Sequence, residues 1–297
     1  MIRIKNIMVP VDFSNASKKA VNYGLSFALE SEARLILAHI GPSDAVSYDR
    51  TKKDLLELIP PDCRERLTFE IIVKGGNVQS ELLGIVEDRE VDLVVMGTHG
   101  RGYVERMLLG SVTERMLRKL HVPILTVSHL DPEREIHTPA PVAMQRILYA
   151  TDMSEGSEEG LGFSIRLARA FDATLMVAHV IRFGEVAFQG VETAALQSDY
   201  AGEIRTRAEE ELSRIVGLTS DGSVPIETLV AEGIPYDTIE QLARQHRADL
   251  IVINVQNKGR LERVVLGKTA ECVIRTATVP VLSLPLPANY QSRWAAA

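Results

Sequence analysis

The residues best suited to chemistry form a glycine-rich loop in the first half of the chain. Gly97, Gly100, Gly110 and Ser111 follow an apolar segment, and Ser111 opens an amphipathic helical pattern. Glycine lets the backbone approach a ligand closely, and the N–H groups at a helix N-terminus attract anions. The loop therefore predicts a phosphate-binding site in which Ser111 either caps the helix or turns its hydroxyl to the ligand. Ser111 and Glu114 also have the spacing of a capping box.

Two familiar phosphate-binding motifs do not fit. A dinucleotide-binding G-x-G-x-x-G would need a glycine where Glu105 stands. Gly267-Lys268-Thr269 resembles the end of a P-loop, but the earlier glycine of that motif would have to replace Glu262. The loop is therefore neither a Rossmann dinucleotide loop nor a Walker loop.

Other polar residues have two interpretations each. Asp12, after the first apolar segment, either caps the helix that begins near Ser14 or contacts a ligand. His39 and His179 lie within apolar segments, and we interpret them as core histidines with satisfied hydrogen bonds. The seven histidines show no metal-ligand spacing such as H-E-x-x-H.

An internal repeat determines the architecture. Residues 7–40 align without gaps to residues 147–180, with nine identities that include Asp12 with Asp152 and His39 with His179. A second block pairs residues 91–127 with 248–284. The offset rises from 140 to 157 between the blocks, which predicts a 17-residue insertion in the second copy between about residues 181 and 227. We therefore predict two homologous domains at 1–130 and 144–285, a linker at 131–143 and a tail at 286–297.

Each copy alternates apolar segments with helical patterns. In the first copy, the helical patterns cover residues 14–30, 51–59, 78–89 and 111–120. Five strands alternating with four helices indicate a parallel, doubly wound sheet with helices on both faces. The predicted fold class is thus α/β, with two tandem open five-stranded parallel sheets, and ligands should sit after the first and fourth strands.

The composition argues against several classes of protein. The chain has 297 residues, 45% of them hydrophobic, and a formal charge of −7. The acidic balance argues against a nucleic-acid footprint, and no apolar run is long enough to cross a membrane. The sequence predicts a cytoplasmic protein whose two cysteines, Cys63 and Cys272, are reduced thiols.

The spacing G-x2-G-x9-G-[ST], the opening VPVDFS and the closing VPILTV together resemble the universal stress protein family, and the duplication resembles its tandem members. The resemblance covers both copies and implies a Rossmann-like fold of the adenine nucleotide alpha hydrolase-like type. It implies ATP, AMP or ADP as ligand, together with magnesium. The residues it assigns to the nucleotide, in chain order, are Pro10, Val11, Asp12, Ile40, Met96, Gly97, Gly100, Arg101, Gly110, Ser111, Val112 and Thr113. Arg101 either pairs with phosphate or faces solvent.

The second copy departs from this pattern. Asn254 replaces Gly97, Asn257 replaces Gly100 and Lys268 replaces Ser111. Since asparagine narrows the phosphate path and lysine cannot accept a capping hydrogen bond, we expect nucleotide binding mainly in the first copy.

The resemblance predicts an ATP-binding, stress-associated regulatory protein with an unknown protein partner. The family's closing strands pair antiparallel, which implies an internal pseudo-dimer and leaves a homodimer of whole chains open. The alternatives are a slow ATP-hydrolysing or nucleotidyl-transferring enzyme and a nucleotide-free scaffold for a partner. No catalytic residue and no protein-held metal site are assigned.

Overall fold

The computed structural model describes residues 4–41, 45–98, 109–128, 140–154, 156–182, 194–256 and 266–286. In the first repeat the elements are β1 (Asn6–Pro10), α1 (Asn15–Ser31), β2 (Arg34–Ile40), α2 (Ala45–Glu57), α3 (Pro61–Arg66), β3 (Phe69–Lys74), α4 (Val78–Asp88), β4 (Leu93–Gly97), α5 (Ser111–Lys119) and β5 (Ile124–Val127). In the second repeat they are β6 (Arg146–Thr151), α6 (Ser157–Ala170), β7 (Thr174–Arg182), α7 (Ala194–Thr219), β8 (Ile226–Gly233), α8 (Pro235–Gln245), β9 (Leu250–Gln256), α9 (Lys268–Thr276) and β10 (Val281–Leu286).

The chain divides into two compact units, Met1–Ala143 with Val255–Ala297, and Met144–Asn254. In the first unit the strand order is β3-β2-β1-β4-β5-β10, and the first five strands are parallel. In the second unit the order is β9-β6-β7-β8, again parallel. The predicted α/β class with parallel sheets is therefore confirmed.

Strand β10 comes from the second sequence repeat but belongs to the first unit. It pairs antiparallel with β5, with Leu282 opposite Leu125. The Thr126 hydroxyl also donates to the Val281 carbonyl at 3.1 Å. This is the antiparallel pairing of closing strands that the resemblance implies.

The central strands are buried on both faces, as their continuous apolar sequences require. Ile7, Met8 and Val9 of β1 are completely buried, and so are Ile147 and Leu148 of β6. Helix α1 packs most of its length against the sheet, because twelve of its seventeen residues are buried. The core of the first unit therefore lies around β1, which is also the strand that leads into the predicted site.

Three details differ from the predicted elements, and the first is that α2 begins at Ala45, six residues before the predicted start at residue 51. The short helix α3, which starts with Pro61 in its first turn, was not predicted. Proline is favoured there because its missing N–H is not needed by the helix. Helix α7 has 26 residues whereas α2 has 13, so part of the predicted insertion is helical; residues 183–193 lie outside the described part.

None of the helices in the described ranges is long and apolar enough to cross a membrane. Cys63 and Cys272 are both free thiols, as predicted.

Candidate functional site

The candidate site lies at the switch point of the first sheet, between β1 and β4. Strand β1 pairs with β2 on one side and with β4 on the other, and the chain runs outward from β1 in both directions. Loops that follow neighbouring strands diverge at such a point and leave a crevice at the carboxyl ends. The predicted residues Pro10, Val11, Asp12, Met96 and Gly97 lie at or just after these two strand ends.

A tight turn after β1 holds the Asp12 carboxylate. Its Oδ1 accepts hydrogen bonds from the Ser14 N–H at 3.0 Å and from the Ser14 hydroxyl at 2.6 Å. Ser14 is the N-cap of α1, and its Oγ accepts from the Ser17 N–H at 3.2 Å. Phe13, between them, has a φ of 62°, in the left-handed region. The structure therefore assigns the cap to Ser14, and the half-buried Asp12 orients that cap at the edge of the crevice.

Gly97 ends β4 against the first turn of α1. A Cβ at this position would lie 2.7 Å from the Ala16 Cβ and 3.0 Å from the Ala16 carbonyl carbon. Only glycine lets the strand end and the helix start approach so closely. Sequence reasoning explained Gly97 by access for phosphate, whereas the structure shows a packing requirement that brings the Asp12 turn next to the glycine loop.

Helix α5 begins with no side-chain cap. Its N-cap is Gly110, which makes no side-chain hydrogen bond and donates its own N–H to the Thr98 carbonyl at 2.9 Å. The predicted capping box is therefore wrong, since Ser111 is the first helical residue and Glu114 pairs with Arg118 at 3.1 Å. The first N–H groups of the helix, with its positive dipole end, are the groups that an anion would bind.

Two hydrogen bonds position α5 beside β4 and α4. The Thr113 hydroxyl, in a side chain only 3% exposed, donates to the Gly97 carbonyl at 2.9 Å. Gln79 Nε2 donates to the Ser111 carbonyl at 3.4 Å. Because the Thr113 hydroxyl hydrogen is used inside the protein, the group this residue offers to a phosphate is its backbone N–H. Ser111 is exposed and Val112 is half-buried at the same helix start.

Ile40, the last residue of β2, lies two residues past the end of the pairing with β1. That pairing ends with Pro10 opposite Ala38, and the Val11 N–H then donates to the Ala38 carbonyl at 2.8 Å. Successive residues of a strand point their backbone groups to alternate edges, so the Ile40 N–H and C=O point to the same edge as those of Ala38. Since β1 turns away here, the Ile40 backbone faces the crevice.

His39 was predicted to be a core histidine with a satisfied hydrogen bond, and the structure confirms the hydrogen bond but not the full burial. It is half-buried rather than enclosed in the core, and its Nδ1 lies 2.7 Å from the carbonyl oxygen of Val11. Its ring is tilted by 50° against the Phe13 ring, with centroids 5.2 Å apart. The signal in the sequence was the recurrence of histidine at the same repeat position, as His179.

Gly100 and Arg101 lie outside the described residues, so their predicted contacts are not placed. Met96 and Val11 are both only 3% exposed, so they are packed inside the protein and do not offer polar side-chain contacts. Within the described ranges, no group of three His, Cys, Asp or Glu side chains is arranged to hold a metal ion.

The second repeat preserves the aspartate turn. Asp152 Oδ1 accepts from the Ser154 N–H at 3.1 Å and from the Ser154 hydroxyl at 2.6 Å. Met153, between them, has a φ of 54°. His179 Nδ1 lies 3.0 Å from the Thr151 carbonyl oxygen. The aspartate turn after β6 thus repeats the turn after β1, although the N-cap of α6 is Gly156, without a side-chain hydrogen bond.

The space at the end of β9 is filled by a polar cluster. Asn254 Nδ2 donates to the Tyr149 hydroxyl at 2.8 Å, which donates to the Ser157 carbonyl at 2.8 Å. Tyr149 is fully buried, and desolvation raises the pKa of its phenol. A Cβ on Gly160 would lie 2.6 Å from the Tyr149 hydroxyl oxygen and 2.8 Å from Asn254 Nδ2. A glycine in α6 is therefore needed to accommodate Asn254.

Helix α9 differs from α5 in its first residue. It also has a glycine N-cap without a side-chain bond, but Lys268 is its first residue. A cation at a helix N-terminus is unfavourably placed in the helix dipole.

Comparison with known proteins agrees with the duplication. The model of the universal stress protein family matches residues 3–128 and 144–285. Universal stress protein MJ0531 of Methanocaldococcus jannaschii is 31% identical over 143 residues, which cover 48% of this chain and 83% of that protein. Universal stress protein MJ0577 of the same organism is 26% identical over 159 residues, and the match covers 42% of this chain and 96% of that protein. A crystal structure of a universal stress protein from Archaeoglobus fulgidus has a TM-score of 0.66 at 21% identity, covering 95% of this chain and 98% of that one, and so shares the fold.

Proposed function

This chain belongs to the universal stress protein family, with two matched regions in tandem, and we propose that it is a cytoplasmic, ATP-binding regulatory protein of the stress response whose nucleotide is held mainly by the first repeat. In this proposal the nucleotide stabilises one conformation, or one state of association with a protein partner. A ligand has that effect only when it binds the two states unequally.

The start of α5 is the observation that carries the proposal. Gly110 leaves the first turn without a side-chain cap, and the Thr113 bond to Gly97 holds that turn at the end of β4. Backbone N–H groups at a helix N-terminus are suited to phosphate. The triphosphate is proposed to lie along the helix start, with Gly100 and Arg101 contributing from the loop.

The nucleoside would occupy the crevice between β2 and the Asp12 turn. Asp12 carries a carboxylate, which can accept hydrogen bonds from ribose hydroxyls. The backbone of Ile40 offers both a donor and an acceptor to the adenine edge. Half-buried Pro10 would provide apolar surface beside the base, and Val11, which is only 3% exposed, would contribute little of that surface.

Magnesium would accompany the phosphates. Mg²⁺ in nucleotide sites is commonly held by substrate phosphates and water with only one or two carboxylates. The described residues around the site offer the Asp12 carboxylate but no cluster of three metal-binding side chains, which fits a cation that arrives with the nucleotide.

The second repeat is proposed to bind nucleotide weakly. The Asn254 amide and the Tyr149 hydroxyl occupy the strand end where the first repeat has Gly97 and Val9. Lys268 is the first residue of α9, the helix that follows β9 in the chain. The first change fills the strand end, and the second replaces the Ser111 hydroxyl with a side chain that cannot accept a hydrogen bond.

Mass spectrometry of the ligand released from freshly purified protein tests the proposal. We expect an adenine nucleotide, and we expect equilibrium dialysis to show uptake of ATP with magnesium by the ligand-free chain. A chain that takes up no adenine nucleotide would contradict the proposal and favour the scaffold. Hydrolysis by the purified chain well above about one turnover per minute would instead favour the slow ATP-hydrolysing enzyme.

A further inference from the structure

His39 makes a hydrogen bond whose direction is determined by its partner. The Val11 carbonyl oxygen, 2.7 Å from Nδ1, can only accept. Nδ1 must therefore carry the hydrogen in both the neutral and the protonated ring. His39 thus acts as a permanent donor to the last residue before Asp12.

The bond restrains a turn that is strained on its own. Phe13 has a φ of 62°, which costs a bulky residue free energy because of steric clashes. The Phe13 ring lies against the His39 ring at 5.2 Å between centroids. One side chain from β2 thus contacts the backbone on one side of Asp12 and the ring on the other side.

We propose that His39 is a positioning residue for the nucleotide site: it holds the turn after β1 so that the Asp12 carboxylate faces the crevice. The inference rests on the proposed function. His39 lies next to Ile40 in β2, so the same strand end supplies the adenine contact and the restraint on Asp12. Loss of the donor would let the turn relax and move Asp12 away from the ribose.

His179 provides a matched control within the same chain. The Nδ1 atom of His179 lies 3.0 Å from the Thr151 carbonyl oxygen. The turn that follows Thr151 has the same hydrogen bond from serine to aspartate as the turn after β1. A purely structural role predicts that substitution of either histidine lowers the free energy of unfolding and leaves the Kd for nucleotide unchanged. A positioning role predicts similar losses of stability but a loss of nucleotide affinity only for His39.

The experiment measures the Kd for ATP with magnesium by calorimetry in the wild type, His39→Leu, His39→Asn and His179→Leu. Leucine removes the donor, while the Asn amide places an N–H near the position of Nδ1. We expect His39→Leu to raise Kd about tenfold or more, in the range of a lost buried hydrogen bond. His39→Asn should remain within about threefold of the wild type, because the donor is restored. His179→Leu should leave Kd unchanged.

Several outcomes separate this inference from the proposed function. A wild-type chain that binds no adenine nucleotide would contradict both. Normal wild-type binding with an unchanged Kd in His39→Leu, or an equal loss in His179→Leu, would overturn the inference alone.

A second measurement needs no variant. The ¹⁵N shifts of the wild-type imidazoles report which ring nitrogen carries hydrogen. We expect an Nδ1–H tautomer at His39, and an Nε2–H tautomer with unprotonated Nδ1 would overturn the inference because that nitrogen could not donate to Val11.

Discussion

Asp12 and Asp152 form the same local structure in different surroundings. Each accepts two hydrogen bonds from the serine two residues later, at nearly equal distances. Such a turn satisfies backbone groups at the start of a helix whether or not a ligand is present. The difference lies in the neighbours, since Gly97 lies beside the first turn and Asn254 beside the second.

Asp12→Ala and Asp152→Ala should therefore have equal effects on stability and unequal effects on binding. Each removes the acceptor of one turn, and we expect each to lower the free energy of unfolding by about 1 kcal/mol. Asp12→Ala should also raise the Kd for ATP at least about tenfold, because the proposed ribose contact is lost. Denaturant titration and calorimetry measure the two quantities. Equal Kd values in the two variants would remove Asp12 from the site.

The two repeats differ in the sizes of the residues that meet between the fourth strand and the first helix of each repeat. In the first repeat glycine lies in the strand, at Gly97, and α1 has Ala16 and Ala20 in its first turns. In the second repeat Asn254 lies two residues before the end of β9, and the positions aligned with Ala16 and Ala20 are Gly156, with a φ of 91°, and Gly160. A larger strand residue is thus accompanied by smaller helix residues, so the contact between elements is conserved while its chemistry changes.

Gly160→Ala tests this exchange. The added Cβ would lie 2.6 Å from the Tyr149 hydroxyl oxygen, inside the contact distance that real side chains show. We expect a loss of about 1–3 kcal/mol in the free energy of unfolding, as for other overpacked sites. Adding Asn254→Gly should recover part of that loss, with a coupling of about 1 kcal/mol in a double-mutant cycle.

Gly162→Ala is the control for this prediction because it lies on the same helix. Its Cβ would come no closer than 3.5 Å to Arg166 Nη1, which is ordinary contact. Alanine there should leave stability unchanged or raise it by up to about 1 kcal/mol, since alanine favours helix more than glycine does. A Gly160→Ala variant as stable as Gly162→Ala would show that the Asn254 cluster does not need the glycine.

In the whole chain, the second repeat keeps the fold of the first repeat without keeping every feature of the proposed nucleotide site. The described parts of both repeats keep the parallel strands and the aspartate turn, yet only the first keeps the glycine at the strand end. Strand β10 of the second repeat pairs with β5 of the first unit. The second repeat thus contributes a strand to the sheet that carries the proposed site.

We therefore expect one nucleotide per chain. Calorimetry should give a stoichiometry near one, and nucleotide at a hundred times Kd should stabilise the protein by about 2.7 kcal/mol, seen as a higher unfolding midpoint. The Asp12→Ala chain, at the same nucleotide concentration, should be stabilised by about 1.4 kcal/mol if its Kd is tenfold higher. Two sites of similar affinity would contradict the proposed division between the repeats.

The sequence by itself determined the family, the duplication, the α/β class and the location of the candidate site. Apolar segments, helical patterns and glycine spacings are local signals, and two copies of each reinforce one another. These signals placed Asp12, Gly97 and Gly110 at the correct ends of strands and helices. They also showed that Asn254 and Lys268 depart from the pattern.

Only the tertiary structure decided what each residue contacts. Gly97 packs against Ala16, 81 residues away, where a Cβ would not fit. His39 donates to the Val11 carbonyl, 28 residues away, and the Thr113 hydroxyl donates to the Gly97 carbonyl, 16 residues away. The capping box failed for the same reason, since Gly110 is held by Thr98 and shifts the helix start by one residue. Contacts between distant segments depend on how the strands and helices pack, and residue spacing along the chain carries no direct record of that packing.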